Sequence, residues 1–258
     1  MSVVTLISDW GLRDHHLAAF KGRLISSISN VNIVDISHSI SPFDVLQASY
    51  ILKNAYACFP PGTIHFSGIN GKQPAGAPDD LLVLESQGHY FVGADSGLFS
   101  LVLNEGQYKA YVLTESGNFN TGKWTESVVS CIGKLVTQHP SEFAAPGKGM
   151  IRLFYPQPMV DADSIKATVI YVDEFENLVL NVKEDLFEQV RNNRGFSLEM
   201  RRAIQPIQKI SSWYNAVEEG ELMALFNHDG YLEISLNRAN ASGLLGINLY
   251  DNIRIAFQ

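Results

Sequence analysis

The feature that most constrains this chain is an alternation in its first 137 residues. Short, almost wholly apolar runs (3–7, 31–36, 63–69) take turns with segments whose apolar residues recur at helical spacing. The run 3–7 ends in Ser8-Asp9-Trp10-Gly11, and Leu17, Ala18, Phe20, Leu24 and Ile28 then follow a helical period after Asp14. Ser41-Pro42 opens a second such segment carrying Val45, Leu46, Ala48, Ile51, Leu52 and Ala55; serine before proline predicts an N-cap and first helical residue. Pro60-Pro61-Gly62 stops it. Strands apolar on both faces and separated by helices are the signature of a sheet buried between helical layers, so an α/β domain with a mainly parallel sheet is expected. Residues 81–85 and 90–92 read as a hairpin, 96–103 as a helix, 110–113 as a strand, and 125–137 as a closing helix.

The pattern then changes. Residues 139–158 hold four of the ten prolines, Pro140, Pro146, Pro156 and Pro158, outside any clear period, and read as a linker. Beyond it, 165–172, 178–182, 196–200, 222–226, 232–236 and 253–257 are short strand-like runs separated by turn residues, with little helix between them. That spacing predicts a compact all-β barrel or sandwich. The expected division is an α/β domain over 1–150 and a β-barrel domain over 160–258.

Charge narrows the function classes. The 19 Lys and Arg against 27 Asp and Glu give a net charge of −8, and the basic residues do not gather into a run that could neutralise a row of phosphates. Nucleic acid is therefore not an expected partner. No apolar run approaches the roughly 18 residues that cross a bilayer, and the opening residues lack the basic and apolar regions of a secretory signal. No membrane association is expected, and the compartment expected is the cytoplasm. Cys58 and Cys131 lie far apart in apolar segments and read as buried thiols.

In a parallel sheet, ligands collect beyond the carboxyl ends of the strands. Asp9, the stretch from Asp35 to His38, and Asn70 occupy such positions. A carboxylate at Asp9 can accept two hydrogen bonds from a ribose diol; Asp9 or Asp14 can equally cap the following helix. Asp14-His15-His16 does not read as a metal site, because neighbouring residues on a helix diverge by about 100° and no further ligand set is visible. Asp35 and His38 with a distant serine do not amount to a hydrolase triad by sequence, since no GxSxG elbow is present. The glycine-rich stretch 68–76 matches no phosphate-binding pattern and reads as a surface loop able to close over a ligand.

Six blocks in order carry a resemblance. They are Ser8-Asp9-Trp10-Gly11-Leu12-Arg13-Asp14-His15 with Ala18-Ala19-Phe20-Lys21-Gly22; Val34-Asp35-Ile36-Ser37-His38 with Ser41-Pro42-Phe43-Asp44; Phe59-Pro60-Pro61-Gly62-Thr63-Ile64-His65; Asp95-Ser96-Gly97-Leu98-Phe99; Val172-Asp173-Glu174-Phe175-Glu176-Asn177-Leu178; and Asn227-His228-Asp229-Gly230-Tyr231-Leu232-Glu233-Ile234. The chain resembles, over nearly its whole length, the S-adenosylmethionine (SAM) hydroxide adenosyltransferase family, the SAM hydrolases and their adenosyl fluorinase and chlorinase relatives. The resemblance implies an adenosyl-binding first domain and a homotrimer whose sites lie between one subunit's first domain and its neighbour's second. It implies SAM as substrate or ligand, with no further cofactor and no metal. Asp9 would hold the ribose hydroxyls and Phe43 would sit against the nucleoside. Asp173, Phe175 and Asn177 would contact the methionine or base end, and Ala241 would line the adenine pocket.

The likeness departs at the reacting centre. Family hydrolases orient and deprotonate water with Asp, Arg and His; here Asn70 stands in place of the aspartate, Ala77 in place of the arginine and Asn120 in place of the histidine. Thr121 aligns near a halide-site serine of the halogenases, but their tyrosine is missing where Asn70 lies, so halogenation is not expected. Asn70, Asn120 and Thr121 are the residues left to face the reaction. Three readings stay open at this point: a slow SAM hydrolase, an adenosyl-binding sensor without turnover, and a trimeric scaffold.

Overall fold

The computed structural model describes residues 2–69, 81–113, 121–200, 203 and 205–258. It forms two compact units, Met1–Phe154 and Tyr155–Gln258.

The first unit contains β1 (Ser2–Ser8), α1 (His16–Ser27), β2 (Val31–Ser37), α2 (Val45–Ala55), β3 (Ile64–Gly68), β4 (Leu81–Ser86), β5 (His89–Ala94), α3 (Leu98–Val102), β6 (Lys109–Leu113), α4 (Thr121–Leu135) and β7 (Ala145–Pro146). The sheet order is β2-β1-β3-β5-β4-β6-β7. β1 runs parallel to β2 and β3, and β3 parallel to β5, whereas β4 is antiparallel to both β5 and β6, and β6 to β7. The sheet is thus mixed, not mainly parallel. The cause is local: Gln87 and Gly88 both take positive φ (50° and 80°), the backbone a two-residue hairpin needs, and this turn reverses β4 against β5.

Period-two alternation sorts the sheet's faces. Val4 and Leu6 of β1 pack with Phe66, with Leu17, Phe20 and Leu24 of α1, and with Val128, Cys131, Ile132 and Leu135 of α4. Thr5 points to the opposite face, where its hydroxyl lies 2.7 Å from His65 Nδ1. Cys131 is buried in the Val4–Leu6 cluster as expected, with its thiol pushed up to about 12 by burial. Cys58 instead lies exposed, in the short 3₁₀ turn Tyr56–Cys58 that ends α2 before the prolines.

His65 is fully buried, its Nε2 stands 3.1 Å from His89 Nδ1, and Phe91 stacks on its ring at 5.0 Å. Burial, and secondarily the neighbouring His89, pull its pKa from 6.5 down to about 3. Folding therefore favours the neutral ring. The associated stability is complete above pH 6.5 and is lost as pH falls through the window toward 3, at about 1.4 kcal/mol per pH unit. Urea unfolding at pH 7 and pH 5 should show a drop of about 2 kcal/mol attributable to this group, and the drop should shrink by that amount in His65→Gln. An equal drop in both proteins would place the acid sensitivity elsewhere.

The proline-containing stretch after α4 is not a free linker up to 158. Both Asp95 carboxylate oxygens accept the Ile151 N–H at 3.0 Å, Ser100 Oγ accepts the Leu153 N–H at 2.9 Å, and Arg152 pairs with Glu105. Gly97, at φ 82°, leaves room for Leu153, whose side chain would lie 2.6 Å from a Cβ at that position.

The second unit comprises β8 (Met159–Val160), β9 (Ser164–Val172), β10 (Leu178–Lys183), α5 (Glu184–Arg191), β11 (Phe196–Glu199), β12 (Leu222–Phe226), β13 (Tyr231–Leu236), α6 (Ala241–Leu245) and β14 (Asn252–Phe257). It is a curled antiparallel sheet in the order β11-β14-β9-β10-β13-β12, with β8 on β9. Residues 207–210 reach both ends of that order only by single bridges, Leu198↔Ile207 and Ile210↔Ala224. The unit is not all-β, because α5 and α6 interrupt the strands. α5 has Glu184 and Asp185 in its first turn, Arg191 in its last and Asn192 in the left-handed conformation at its end. Its buried Phe187 meets Phe196, Phe226 and Phe257 edge-on at 5.1–5.5 Å. Among the described residues no helix is long and apolar enough to cross a membrane.

Candidate functional site

Beyond the carboxyl end of β1, Asp9 Oδ2 accepts the backbone N–H of Phe43 at 2.9 Å. Asp9 caps neither helix: α1 begins at His16 without a side-chain cap, and α2 is capped by Asp44, whose carboxylate accepts the Gln47 N–H at 2.9 Å. Ser41-Pro42 does not start α2 either. Phe43 takes φ 64°, outside helical space, and the Asp44 N–H turns back onto the Ser41 carbonyl. A phenylalanine at positive φ is strained by about 1 kcal/mol or more, and the Asp9 carboxylate holds it there. The Phe43 side chain is 66% exposed beside that carboxylate. Trp10 turns the other way, packing edge-on against Phe20 at 5.5 Å, and a Cβ at Gly68 would lie 2.7 Å from its indole, so only glycine fits at the end of β3.

Here Asp35 and His38, three residues apart, meet Ser8, 30 residues before His38. Ser8 Oγ lies 2.6 Å from His38 Nδ1, His38 Nε2 stands 3.2 Å from Asp35 Oδ1, and Lys21 Nζ donates to Asp35 Oδ2 at 2.6 Å. The Nε2 contact is an ion-pair distance without hydrogen-bond alignment. Burial lowers the His38 pKa despite Asp35, so the ring is neutral near pH 7. Burial raises the Asp35 pKa, but Lys21 and His38 outweigh it and hold the carboxyl below its ordinary value. His15 and His16 do not diverge as two helical residues would: His15 precedes α1, and the two rings lie 4.3 Å apart.

Asn70, Ala77, Asn120 and the glycine-rich stretch from 70 onward lie outside the described residues, and Thr121 is placed as the first residue of α4.

The second unit gathers Asp173, Phe175, Asn177 and Ala241. Asp173 Oδ1 accepts the N–H groups of Phe175 (3.0 Å) and Asn177 (2.8 Å), and its Oδ2 accepts from Asn177 Nδ2 at 2.9 Å. This closes a tight turn whose tip holds Phe175 out, 75% exposed. Glu176, at φ 60°, ties the turn to α6: its carbonyl accepts the Ser242 N–H and its carboxylate the Gly243 N–H, each at 3.0 Å. Ala241 is buried at the start of that helix. Sequence reasoning passed over Glu176, because a partner 67 residues away leaves no local signal.

It also passed over buried Glu233, whose Oε1 accepts from Tyr214 (3.0 Å) and Ser235 (2.8 Å) and whose Oε2 accepts from Asn227 (3.3 Å). Burial, then Glu233, raise the Tyr214 pKa. The signal for Glu233 was its place in the block that begins at Asn227.

Each unit therefore presents the same device. A carboxylate accepts the backbone N–H of a phenylalanine whose ring stands exposed beside it. Such a carboxylate can accept from hydroxyl or ammonium groups, and such a ring can cover a flat heteroaromatic face.

Comparison with known proteins adds the following. The description "SAM hydroxide adenosyltransferase N-terminal domain" matches residues 4–129, and "SAM hydroxide adenosyltransferase C-terminal domain" matches residues 167–254. The chain is 27% identical to an (R)-S-adenosyl-L-methionine hydrolase of Methanocaldococcus jannaschii, over 100% of this chain and 97% of that protein. It is 25% identical to one of Salinispora tropica, over 98% and 97%. A fluorinase of Actinopolyspora mzabensis is 23% identical over 92% and 91%. A crystal structure of an uncharacterized conserved protein from Thermotoga maritima shares the fold, with a TM-score of 0.85 at 23% identity over 98% of this chain and 99% of that one.

Proposed function

We propose, because this chain belongs to the SAM hydroxide adenosyltransferase family, that it binds SAM through its adenosyl group and hydrolyses it slowly to adenosine and methionine. The observation that carries this reading is the pair of carboxylate–phenylalanine devices, Asp9 with Phe43 and Asp173 with Phe175. Asp9 holds the ribose hydroxyls and Phe43 lies against the nucleoside. Asp173, Phe175 and Asn177 engage the methionine or base end, and Ala241 lines the adenine pocket. The substrate epimer is the (R)-sulfonium form that the hydrolase relatives are named for.

In the reaction, a water oxygen bonds to C5′ while the C5′–S bond breaks. Its electron pair returns to sulfur, neutral methionine leaves, and the water's proton goes to solvent. Asn70, Asn120 and the Thr121 hydroxyl orient the water. None of them takes its proton at neutral pH, and general-base help is worth about 10²–10⁴-fold, which is why turnover is slow. The same replacements favour a second reading, an adenosyl-binding protein without turnover. A homotrimer completing each site across neighbouring subunits, a cytoplasmic location and the lack of a nucleic acid partner belong to the proposal.

Calorimetric titration of the full chain with each SAM epimer tests it. Sustained heat after every injection, with adenosine and methionine recovered from the cell, is the expected result. Saturable heat that returns to baseline would leave the binding reading, and no heat with either epimer or with adenosine would overturn both and leave a scaffold.

A further inference from the structure

We propose that His38 is a positioning residue for the ribose-holding carboxylate Asp9, gripping the loop that carries it from both ends. This rests on the assignment of Asp9 made above.

Asp9 sits in the loop from Ser8 to Gly11, which leaves β1 and must turn before α1. His38 holds the near end through its side chain, with Nδ1 2.6 Å from Ser8 Oγ. It holds the far end through its backbone carbonyl, which accepts the Gly11 N–H at 3.0 Å. Proton placement follows from chemistry. The negative Asp35 carboxylate 3.2 Å from Nε2 favours the ring proton on that nitrogen by charge alone, without hydrogen-bond alignment, and so leaves Nδ1 to offer a lone pair to the Ser8 hydroxyl proton. The Ser8 oxygen then accepts the Trp10 N–H at 3.4 Å, inside the same loop. Lys21 fixes Asp35 from its other side. The result is a chain running Lys21, Asp35, His38, Ser8, Trp10 N–H, with Asp9 between the last two residues.

The same atoms argue against a nucleophilic serine. Ser8 is 1% exposed and His38 4% exposed, and the Ser8 oxygen is engaged on both sides. The arrangement orients a loop; it does not present a reactive hydroxyl. Asp9 makes no side-chain hydrogen bond among the described residues other than that from Phe43, so its direction depends on its loop and on that single bond. A carboxylate accepting from two hydroxyls needs that direction fixed, and positioning shells of this kind govern how well a binding group performs.

The test compares adenosine with 2′,3′-dideoxyadenosine, which lacks both hydroxyls, by calorimetry on the full-length protein. In His38→Ala, adenosine affinity should fall about 10-fold, the scale of one lost net hydrogen bond, while dideoxyadenosine affinity stays unchanged. His38→Asn, whose amide oxygen can stand near the place of Nδ1, should restore adenosine affinity to within about 3-fold. With Asp9→Ala already present, His38→Ala should add nothing. Ser8→Ala cuts the side-chain link while leaving the imidazole in place, and should reproduce the selective loss even where His38→Ala folds poorly.

Equal weakening toward both nucleosides, or no weakening toward adenosine in either single variant, would overturn the inference. If Asp9→Ala loses adenosine while His38→Ala and Ser8→Ala do not, only the inference falls. A wild-type protein that binds neither nucleoside nor SAM would remove the functional reading and this inference together.

Discussion

Asp9→Ala lowers adenosine affinity about 100-fold while the protein stays folded. Two hydrogen bonds from ribose hydroxyls to a carboxylate are worth about 1.5–3 kcal/mol each, so a factor of 100, about 2.7 kcal/mol, is the lower bound of the expected loss. Alanine also removes the acceptor for the Phe43 N–H. Asp9→Asn separates the two effects, since its amide oxygen can still receive that N–H while the charged acceptor is gone. Asparagine should therefore keep the loop and still lose roughly 10-fold in affinity. The side chain lies at the surface end of β1 and is only partly buried, so the melting temperature should change little. Calorimetry with adenosine beside a thermal melt reads both quantities. Unchanged affinity in Asp9→Ala would refute the ribose assignment.

Combining Asn70→Asp, Ala77→Arg and Asn120→His should raise SAM hydrolysis by about 10²–10⁴-fold, the range general acid–base help supplies. Asparagine has the shape of aspartate and can hold a water, but it has no basic site at neutral pH. The three changes belong together because groups that act as a unit contribute non-additively. Initial rates of adenosine release at saturating SAM, compared with those of the unchanged protein, measure the gain. A triple variant that binds SAM with wild-type affinity and shows no gain would place the attacking water elsewhere.

Much of the architecture was readable because it follows from periodicity. The apolar runs of β1, β2 and β3 and the helical spacing of α1, α2 and α4 are local signals, and each became the element expected. Structure and sequence expectation differ where a single backbone angle or a distant partner decides the outcome. Ser41-Pro42 has the composition of a helix start, but Phe43 at positive φ moves the start to Val45. The 81–92 hairpin is legible, and its turn sets β4 antiparallel to both neighbours, which makes the sheet mixed where the apolar runs alone predict it mainly parallel. α5 carries Leu186, Phe187 and Val190, a short helical pattern masked by the strand-like runs on either side. Segment 139–154 has the prolines of a linker, yet Asp95 and Ser100, some 50 residues earlier, hold its backbone.

The candidate site divides in the same way. Asp9, Phe43, Asp173 and Asn177 are carried by family blocks; the Asp173–Asn177 turn is bonded within its own block, whereas Asp9 and Phe43 meet across 34 residues. Ser8 has no local signal of its role, because its link to His38 spans 30 residues and depends on β1 lying beside β2. Sequence spacing cannot show a bond of that kind; strand pairing creates it.

Position 43 is where two selective pressures part. A glycine there would relax the backbone and make folding easier, since it alone adopts φ 64° without penalty. This chain carries phenylalanine instead, its backbone conformation held by the Asp9 carboxylate. On the function proposed above, the cost of ordering this backbone is met during folding, before a ligand arrives. Variants enriched in a screen for thermal robustness alone would be expected to drift toward glycine here, trading recognition for durability.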